Sequence, residues 1–277
     1  MNCTPFTITV RGRLVTFSRP AVMGILNITP DSFYDGGRHN TPDAMLGHAR
    51  WLLSEGADII DIGAASSRPG ATLPSPEVEA ETLTQAIRLI RSELPDIILS
   101  VDTCYSLPAR KSIEAGADII NDISGGQFDN EMFHTVADLQ VSYILMHNRA
   151  LPAEMQQHTG YDDIVDDLTR YFSSRLDTLY RLGVKDVWLD PGFGFAKTVE
   201  ENHELLHRLG ELTDLFREPL LAALSRKSMI YKPLGTTPDD ALAGTIALDT
   251  VALLQGARIL RVHDPKPAIE TIKLLSI

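Results

Sequence analysis

Glu55-Gly56-Ala57-Asp58-Ile59-Ile60-Asp61-Ile62 compresses a helix end, a reversal and a buried strand into one short run. Glycine reaches the left-handed conformation that stops a helix without the steric penalty a Cβ brings. The apolar residues that follow suit a strand covered on both faces, as in a parallel sheet. The same punctuation returns at Ala115-Gly116-Ala117-Asp118 and Gln255-Gly256-Ala257-Arg258, each leading into a strand-like run. A recurring order of helix, glycine and strand marks βα units.

Extended along the chain, this reading gives eight strand candidates, at 22–26, 59–62, 97–101, 119–120, 143–146, 187–189, 220–224 and 259–262. Helical periodicity fills the intervals at 42–54, 77–94, 107–114, 131–139, 162–182, 201–215 and 239–254, and follows the last strand at 267–275. The expected fold is α/β, a (β/α)8 TIM barrel, preceded by a β-hairpin at 6–10 and 14–17 that covers the bottom of the core. A barrel of this kind takes roughly 250 residues, and the chain has 277 with no linker or composition shift. One domain over 1–277 is therefore expected.

The apolar fraction of 44% supports a sizeable core. A net charge of -12 argues against nucleic-acid backbone binding, which needs a surplus of Lys and Arg on one face. No apolar run approaches the ~18 residues of a membrane span. Two distant cysteines, Cys3 and Cys104, read as reduced thiols. These features predict a cytoplasmic protein with no membrane partner.

Polar residues fall at the strand ends: Asn27, Asp61, Asp102, Asn121 with Asp122, His147, Asp190, the run from Ser225 to Lys227, and Arg261 with His263. In a parallel barrel these ends share the face on which barrel enzymes build their sites. Any single Asp, Asn or Ser there is explained by helix capping. Capping does not explain carboxylates, amides, cations and imidazoles gathered on one rim.

Seven segments carry this rim: Asn27-Ile28-Thr29-Pro30-Asp31-Ser32-Phe33-Tyr34-Asp35-Gly36-Gly37, Ala64-Ala65-Ser66-Ser67-Arg68-Pro69-Gly70-Ala71, Ser100-Val101-Asp102-Thr103, Asn121-Asp122-Ile123, Leu189-Asp190-Pro191-Gly192-Phe193-Gly194-Phe195, Ser225-Arg226-Lys227-Ser228 and Arg261-Val262-His263-Asp264. In this order and at this spacing they resemble the motif set of the dihydropteroate synthases, pterin-binding transferases of folate biosynthesis and targets of sulfonamides. The resemblance runs from Val22 to about Asp264. It implies condensation of 6-hydroxymethyl-7,8-dihydropterin diphosphate with p-aminobenzoate, release of pyrophosphate, and a homodimer.

It also assigns roles. Asp102, Asn121 and Asp190 would accept the N–H donors of the pterin edge, Met146, Lys227 and Arg261 would complete that pocket, and Lys227 would donate to the pterin carbonyl. Asn27, Arg68, Arg261 and His263 would hold the diphosphate, with Asn27 also on Mg²⁺, which favours oxygen ligands. No Cys or His spacing suits zinc. Phe33, Ser67, Arg68, Pro69, Phe195 and Ser228 would form the aminobenzoate side, the first two loops closing over it. Catalysis would fall to Asp35, Lys227, Arg261 and His263 through charge and position rather than a protein nucleophile, with Cys104 a passive thiol.

The chain departs from that pattern at Ala65, where many members carry Glu, and at Ser67, where they carry Thr. Both changes point to altered aminobenzoate use before altered pterin binding. Arg149-Ala150 replaces a basic or amide residue followed by Gly. Two other readings share parts of the site: a barrel transferring a methyl group from methyltetrahydrofolate to a corrinoid protein, and a non-catalytic pterin-binding paralogue. The Thr-Pro-Asp-Ser-Phe and Ser-Arg-Pro-Gly loops favour the synthase over the first. The retained Asn27, Arg68, Lys227, Arg261 and His263 weigh against the second.

Overall fold

The computed structural model describes residues 5–28, 42–65, 73–151 and 153–277. Strands β1 (Phe6–Val10) and β2 (Arg13–Phe17) form the expected hairpin, antiparallel from Phe6 opposite Phe17 to Val10 opposite Arg13. Arg11 and Gly12 turn it with φ of 48° and 74°. Positive φ at both turn residues matches the twist of the flanking strands.

Eight parallel strands follow, ordered β8-β7-β6-β5-β4-β3-β10-β9. They are β3 (Ala21–Asn27), β4 (Ile59–Gly63), β5 (Ile98–Asp102), β6 (Ile119–Asp122), β7 (Ser142–Met146), β8 (Val187–Asp190), β9 (Leu221–Ala222) and β10 (Ile259–Val262). A bridge from Leu189 to Leu220 joins the remaining seam between β8 and β9. The helices among the described residues are α1 (Pro42–Ser54), α2 (Pro76–Glu93), α3 (Ser106–Ala115), α4 (Met132–Leu139), α5 (Ile164–Arg181), α6 (Val199–His207), α7 (Leu209–Leu215), α8 (Ser228–Leu234), α9 (Leu242–Leu254) and α10 (Pro265–Leu275).

Local chemistry sets the helix starts. Ser75 caps α2 through the Val78 N–H, ahead of Pro76. Asp163 caps α5 through Val165 and Asp166, and Thr198 with Glu201 forms a reciprocal capping box on α6. At the other end, Gly116 closes α3 with φ 115°, its N–H bonded to the Ile113 carbonyl. The aspartates next in that repeat have a structural duty. Asp58 Oδ2 accepts the Val22 N–H at 2.9 Å and Asp118 Oδ2 the Leu99 N–H at 2.9 Å, each anchoring the start of an adjoining strand.

Two expectations need correction. The helix expected at 201–215 divides into α6 and α7, with the break at Arg208. The cause is a close approach: the Gly210 N–H bonds Gln255 Oε1 at 3.1 Å, and Thr213 donates to the Gln255 carbonyl at 3.0 Å. Any Cβ at Gly210 would lie 2.6 Å from Gln255 Oε1. A helix not anticipated, α8, follows the Ser225-Arg226-Lys227 turn. Its short apolar run and Pro233 hide the period, and only Met229 and Ile230 bury fully.

The barrel interior is layered. Met23, Ile59, Ile119, Ile144, Trp188, Leu221 and Ile259 pack with Ile8, Val10 and Phe17 of the hairpin, which plugs the bottom. Phe6 stacks on Phe17 at 4.9 Å and meets the edge of Trp188 at 5.9 Å, contacts worth about 0.5–1.5 kcal/mol each beyond area burial. Outward-facing neighbours such as Ile60, Val101, Ile120, Leu145 and Leu260 pack against the helices. Side chains two positions apart share a face of a strand. Two residues beyond Ile59, Ile119, Ile144, Trp188 and Ile259 stand Asp61, Asn121, Met146, Asp190 and Arg261. The polar upper layer follows from the apolar lower one.

Candidate active site

Arg261 occupies the centre of this upper layer. Its Nε donates to Asp61 Oδ2 at 2.6 Å and its Nη2 to Asp102 Oδ2 at 2.9 Å. Asn121 Nδ2 donates to the same Asp61 oxygen at 3.0 Å. Four strands thus share one hydrogen-bonded cluster. Asp190, at the end of β8, accepts the Gly192 N–H at 2.7 Å through Oδ1. Lys227, at the start of α8, donates to the Phe193 carbonyl, and its Nζ lies 4.9 Å from the centre of the Phe195 ring. His263 Nδ1 is 2.9 Å from Ser225 Oγ.

The charges sense one another. Burial pushes the Asp102 carboxyl up to about 7; Arg261 pulls it back, while Asp61, Asp122 and Asp190 add to the rise. Burial likewise raises Asp190, against the pull of Lys227 and the Gly192 N–H. Burial lowers the Lys227 amine to about 8, opposed by Asp190 and assisted by Arg261. Burial also works against the Arg261 charge, yet Asp61 and Asp102 outweigh it and hold its pKa above the ordinary value. His263 falls to about 4 through burial and then Arg261 and Arg226, so it is a neutral imidazole at pH 7.

An apolar wall completes the pocket: Met146, Phe195, Ile123, Cys104, Met155 and Ala196 form a separate cluster at this end of the barrel. Burial raises the Cys104 thiol strongly, so it is inert as a nucleophile at neutral pH. Asn27 ends β3 beside Asp102: a Cβ placed on Gly63 would meet Asn27 Oδ1 and Asp102 Oδ2, each at 3.7 Å. Ser228, half-buried, opens α8 next to Lys227.

Asp102, Asn121, Met146, Asp190, Phe195, Lys227, Arg261 and His263 are therefore gathered at one end of the barrel, with Asn27 at the rim. Phe33, Asp35, Ser67, Arg68 and Pro69 lie outside the described residues. Asp122 points elsewhere: its carboxylate is taken by Tyr143 Oη at 2.6 Å and by the N–H groups of Ser124 and Gly126. Arg149 is likewise occupied, stacked 3.5 Å from the Tyr161 ring centre and paired with Asp167.

Three buried groups have duties that the family resemblance does not name, although Asp61 belongs to the strand-end set. Asp61 is fully buried inside the barrel and orients Arg261 and Asn121; its period-two offset from Ile59 was the available signal. Glu79, on the buried face of α2, bonds Thr103, and burial raises it to about 7. It faces a small cavity with Ala65, Leu73, Asp102, Thr103, Cys104 and Ile123. Lys197, two residues past Phe195, is buried, and among the described residues no carboxylate is bonded to its amine.

The described residues gather no group of three or more His, Cys, Asp or Glu placed to hold a metal. Asn27 Oδ1 is a hard oxygen donor at the rim. It suits a magnesium ion that takes most of its ligands from a diphosphate and water.

The family model described as pterin binding enzyme matches residues 23–263. The dihydropteroate synthase of Escherichia coli (strain K12) is 39% identical over 267 residues, 96% of this chain and 94% of that protein. A crystal structure of the Yersinia pestis dihydropteroate synthase with a sulfonamide drug complex superposes with a TM-score of 0.90 at 40% identity, covering 98% of each chain. The Xanthomonas albilineans enzyme with 4-aminobenzoic acid gives 0.89 at 36% identity, over 99% of this chain and 98% of that one. Matching a family model over most of its length and these relatives almost end to end, the chain belongs to the pterin-binding enzymes and, within them, to the dihydropteroate synthases.

Proposed function

We propose that the chain joins 6-hydroxymethyl-7,8-dihydropterin diphosphate to p-aminobenzoate, forming 7,8-dihydropteroate and pyrophosphate. One observation carries this reading. Asp61 Oδ1 and Asn121 Oδ1 are buried acceptors with no donor among the described residues, in the cluster that holds Asp102. Buried acceptors need donors, and the amino-amide edge of a pterin brings several N–H groups. The likeness to enzymes solved with 4-aminobenzoic acid and with a sulfonamide supports the second substrate and sulfonamide binding at the same place.

In this reading Asp102, Asn121 and Asp190 grip the pterin, Met146 lines its face and Lys227 donates to its carbonyl, while Phe195 stands on the aminobenzoate side. The C–O bond between the exocyclic methylene and the diphosphate breaks, and the electron pair leaves on pyrophosphate. The aminobenzoate nitrogen then forms the C–N bond and gives up one proton. Arg261 and neutral His263 face the departing charge, with Asn27 beside them, so the acceleration is electrostatic and positional. Bound Mg²⁺, held on the protein side by Asn27, would neutralise the charge on the diphosphate oxygens. Asp35, Arg68 and the aminobenzoate contacts of Phe33, Ser67, Pro69 and Ser228 belong to the same proposal, as does the action of residues 1–277 as one unit in the cytoplasm.

The test is purified protein incubated with both substrates and Mg²⁺. Equimolar pyrophosphate and dihydropteroate are expected. Chelation should lower the rate about tenfold or more, with recovery on adding Mg²⁺ back. Pterin binding without pyrophosphate release overturns the reading in favour of a binding paralogue.

A homodimer is part of the proposal. The only charged residue in α9, Asp249, is buried. The rest of that helix is small or apolar, with Ala243 and Ala247 facing outward and Leu254 64% exposed. Leu234 of α8 and Leu274 of α10 are also exposed, on helices that pack against α9. A helix apolar on every side is covered in the working protein. Sedimentation should give a dimer that Ala247→Glu converts to a monomer; a monomeric parent protein counts against it.

A further inference from the structure

Lys197 is 3% exposed, and among the described residues its amine makes three polar contacts: His147 Nδ1 at 3.0 Å, the Gly192 carbonyl at 3.1 Å and the Phe195 carbonyl at 3.1 Å. His147 follows β7, and the two carbonyls belong to the turn after β8. We infer that Lys197 is a positioning residue that fastens this turn to the end of β7 and so places the Phe195 ring for p-aminobenzoate. The inference rests on the function proposed above.

Within the turn the Phe195 N–H bonds the Gly192 carbonyl at 3.0 Å, and the Gly194 N–H bonds Asn202 Oδ1 at 2.7 Å, but its backbone is bent sharply. Gly192, Gly194 and Ala196 have φ of 70°, 83° and 48°. Ala196, fully buried, is left-handed although it carries a Cβ, a conformation that persists only where surrounding contacts enforce it. A Cβ at Gly192 would overlap the His147 carbonyl oxygen, so the turn is pressed against β7 as well as bonded to it. Asp190, by contrast, has strand support of its own, since Met146 and Asp190 are partners in the β7–β8 ladder. Release of the turn therefore moves Phe195 more than Asp190.

Lysine suits this post in either protonation state. An ammonium has three donors, one for each neighbour. A neutral amine can donate to the two carbonyls and accept from the His147 ring once the imidazole proton sits on Nδ1. Burial lowers the Lys197 amine to about 7, and the three contacts survive on both sides of that value.

The test uses the full chain with Lys197→Met, which removes all donors, and Lys197→Gln, which keeps two. Steady-state kinetics should show KM for p-aminobenzoate raised about tenfold in the Met variant, because small misplacements of a positioning group carry penalties of this size. The Gln variant should fall between, and KM for the pterin diphosphate should change less than about twofold in both. Thermal unfolding reports stability separately. A folded variant with both KM values unchanged overturns the inference, as does an equal rise in both. Failure of both variants to fold also overturns it, assigning Lys197 to folding instead. If the parent protein releases no pyrophosphate, the function is wrong, and the position of the Phe195 ring in a crystal structure of the Gln variant still decides whether Lys197 sets it.

Discussion

Arg261→Met is expected to lower kcat by about 10²–10³ and to cost about 3–5 kcal/mol of stability at pH 8. The side chain is 15% exposed and lies between Asp61 at 2.6 Å and Asp102 at 2.9 Å. Methionine fills much of the same space, so the loss is electrostatic. Two carboxylates remain in a buried layer with their shared cation gone, which is where removing one member of an ion pair costs most. The proposed leaving diphosphate loses the same charge. The stability loss should also depend on pH. Without Arg261 the Asp102 carboxyl rises further above about 7, while its unfolded value stays near 3.8. A raised carboxyl leaves the native state holding more protons than the unfolded chain, so its stability falls as pH rises through the folded pKa. Below about pH 7 Asp102 is protonated in both proteins and contributes nothing to their difference; above it the gap widens. Urea denaturation at pH 6 and pH 8.5 checks this, and a gap that does not grow with pH speaks against it.

The barrel was legible in the sequence because its two signals are local. Short apolar runs bounded by glycine give the strands, and periodic segments between them give the helices. Both survive in one dimension, and Ile259–Val262 matches the expected run to the residue. Long-range contacts were not legible. Gln255 bends the 201–215 segment through Gly210 and Thr213, and nothing near those residues announces a partner some forty positions away. Most of the site was legible too, because polar residues directly after apolar strands are conspicuous. Asp61 and Asp122 illustrate the limit. Both lie within strands among isoleucines, yet the first faces the barrel axis and holds Arg261, and the second faces outward and holds Tyr143. Their faces follow from strand register, which the hairpin plug and bottom layer fix only in three dimensions. Lys197 was missed for a related reason: a lysine in a glycine-rich turn reads as solvated until the fold lays β7 over it.

Asp190→Asn should weaken pterin binding by about 10²–10³ while leaving the protein as stable or more so. Asp190 is 4% exposed, and its Oδ1 already accepts the Gly192 N–H at 2.7 Å. If the Asn oxygen keeps that bond, the amide NH₂ faces the site, where the proposed pterin edge offers donors and Lys227 carries positive charge. Donor then meets donor in a buried pocket, and the charge that offsets Lys227 is gone. Stability moves the other way. Burial raises the Asp190 pKa above its unfolded value, so the native carboxylate costs stability once pH exceeds that raised pKa. A neutral amide removes this cost, and the variant should gain on the parent protein as pH increases. Calorimetric titration with the pterin diphosphate and thermal unfolding, both at pH 8, separate the effects. Affinity within threefold of the parent, or a loss shared equally with p-aminobenzoate, would remove Asp190 from the pterin pocket. The opposite substrate pattern expected for Lys197→Met gives the contrast: a buried carboxylate at the end of a strand sets what is gripped, and a buried amine beneath the adjoining turn sets what can approach it.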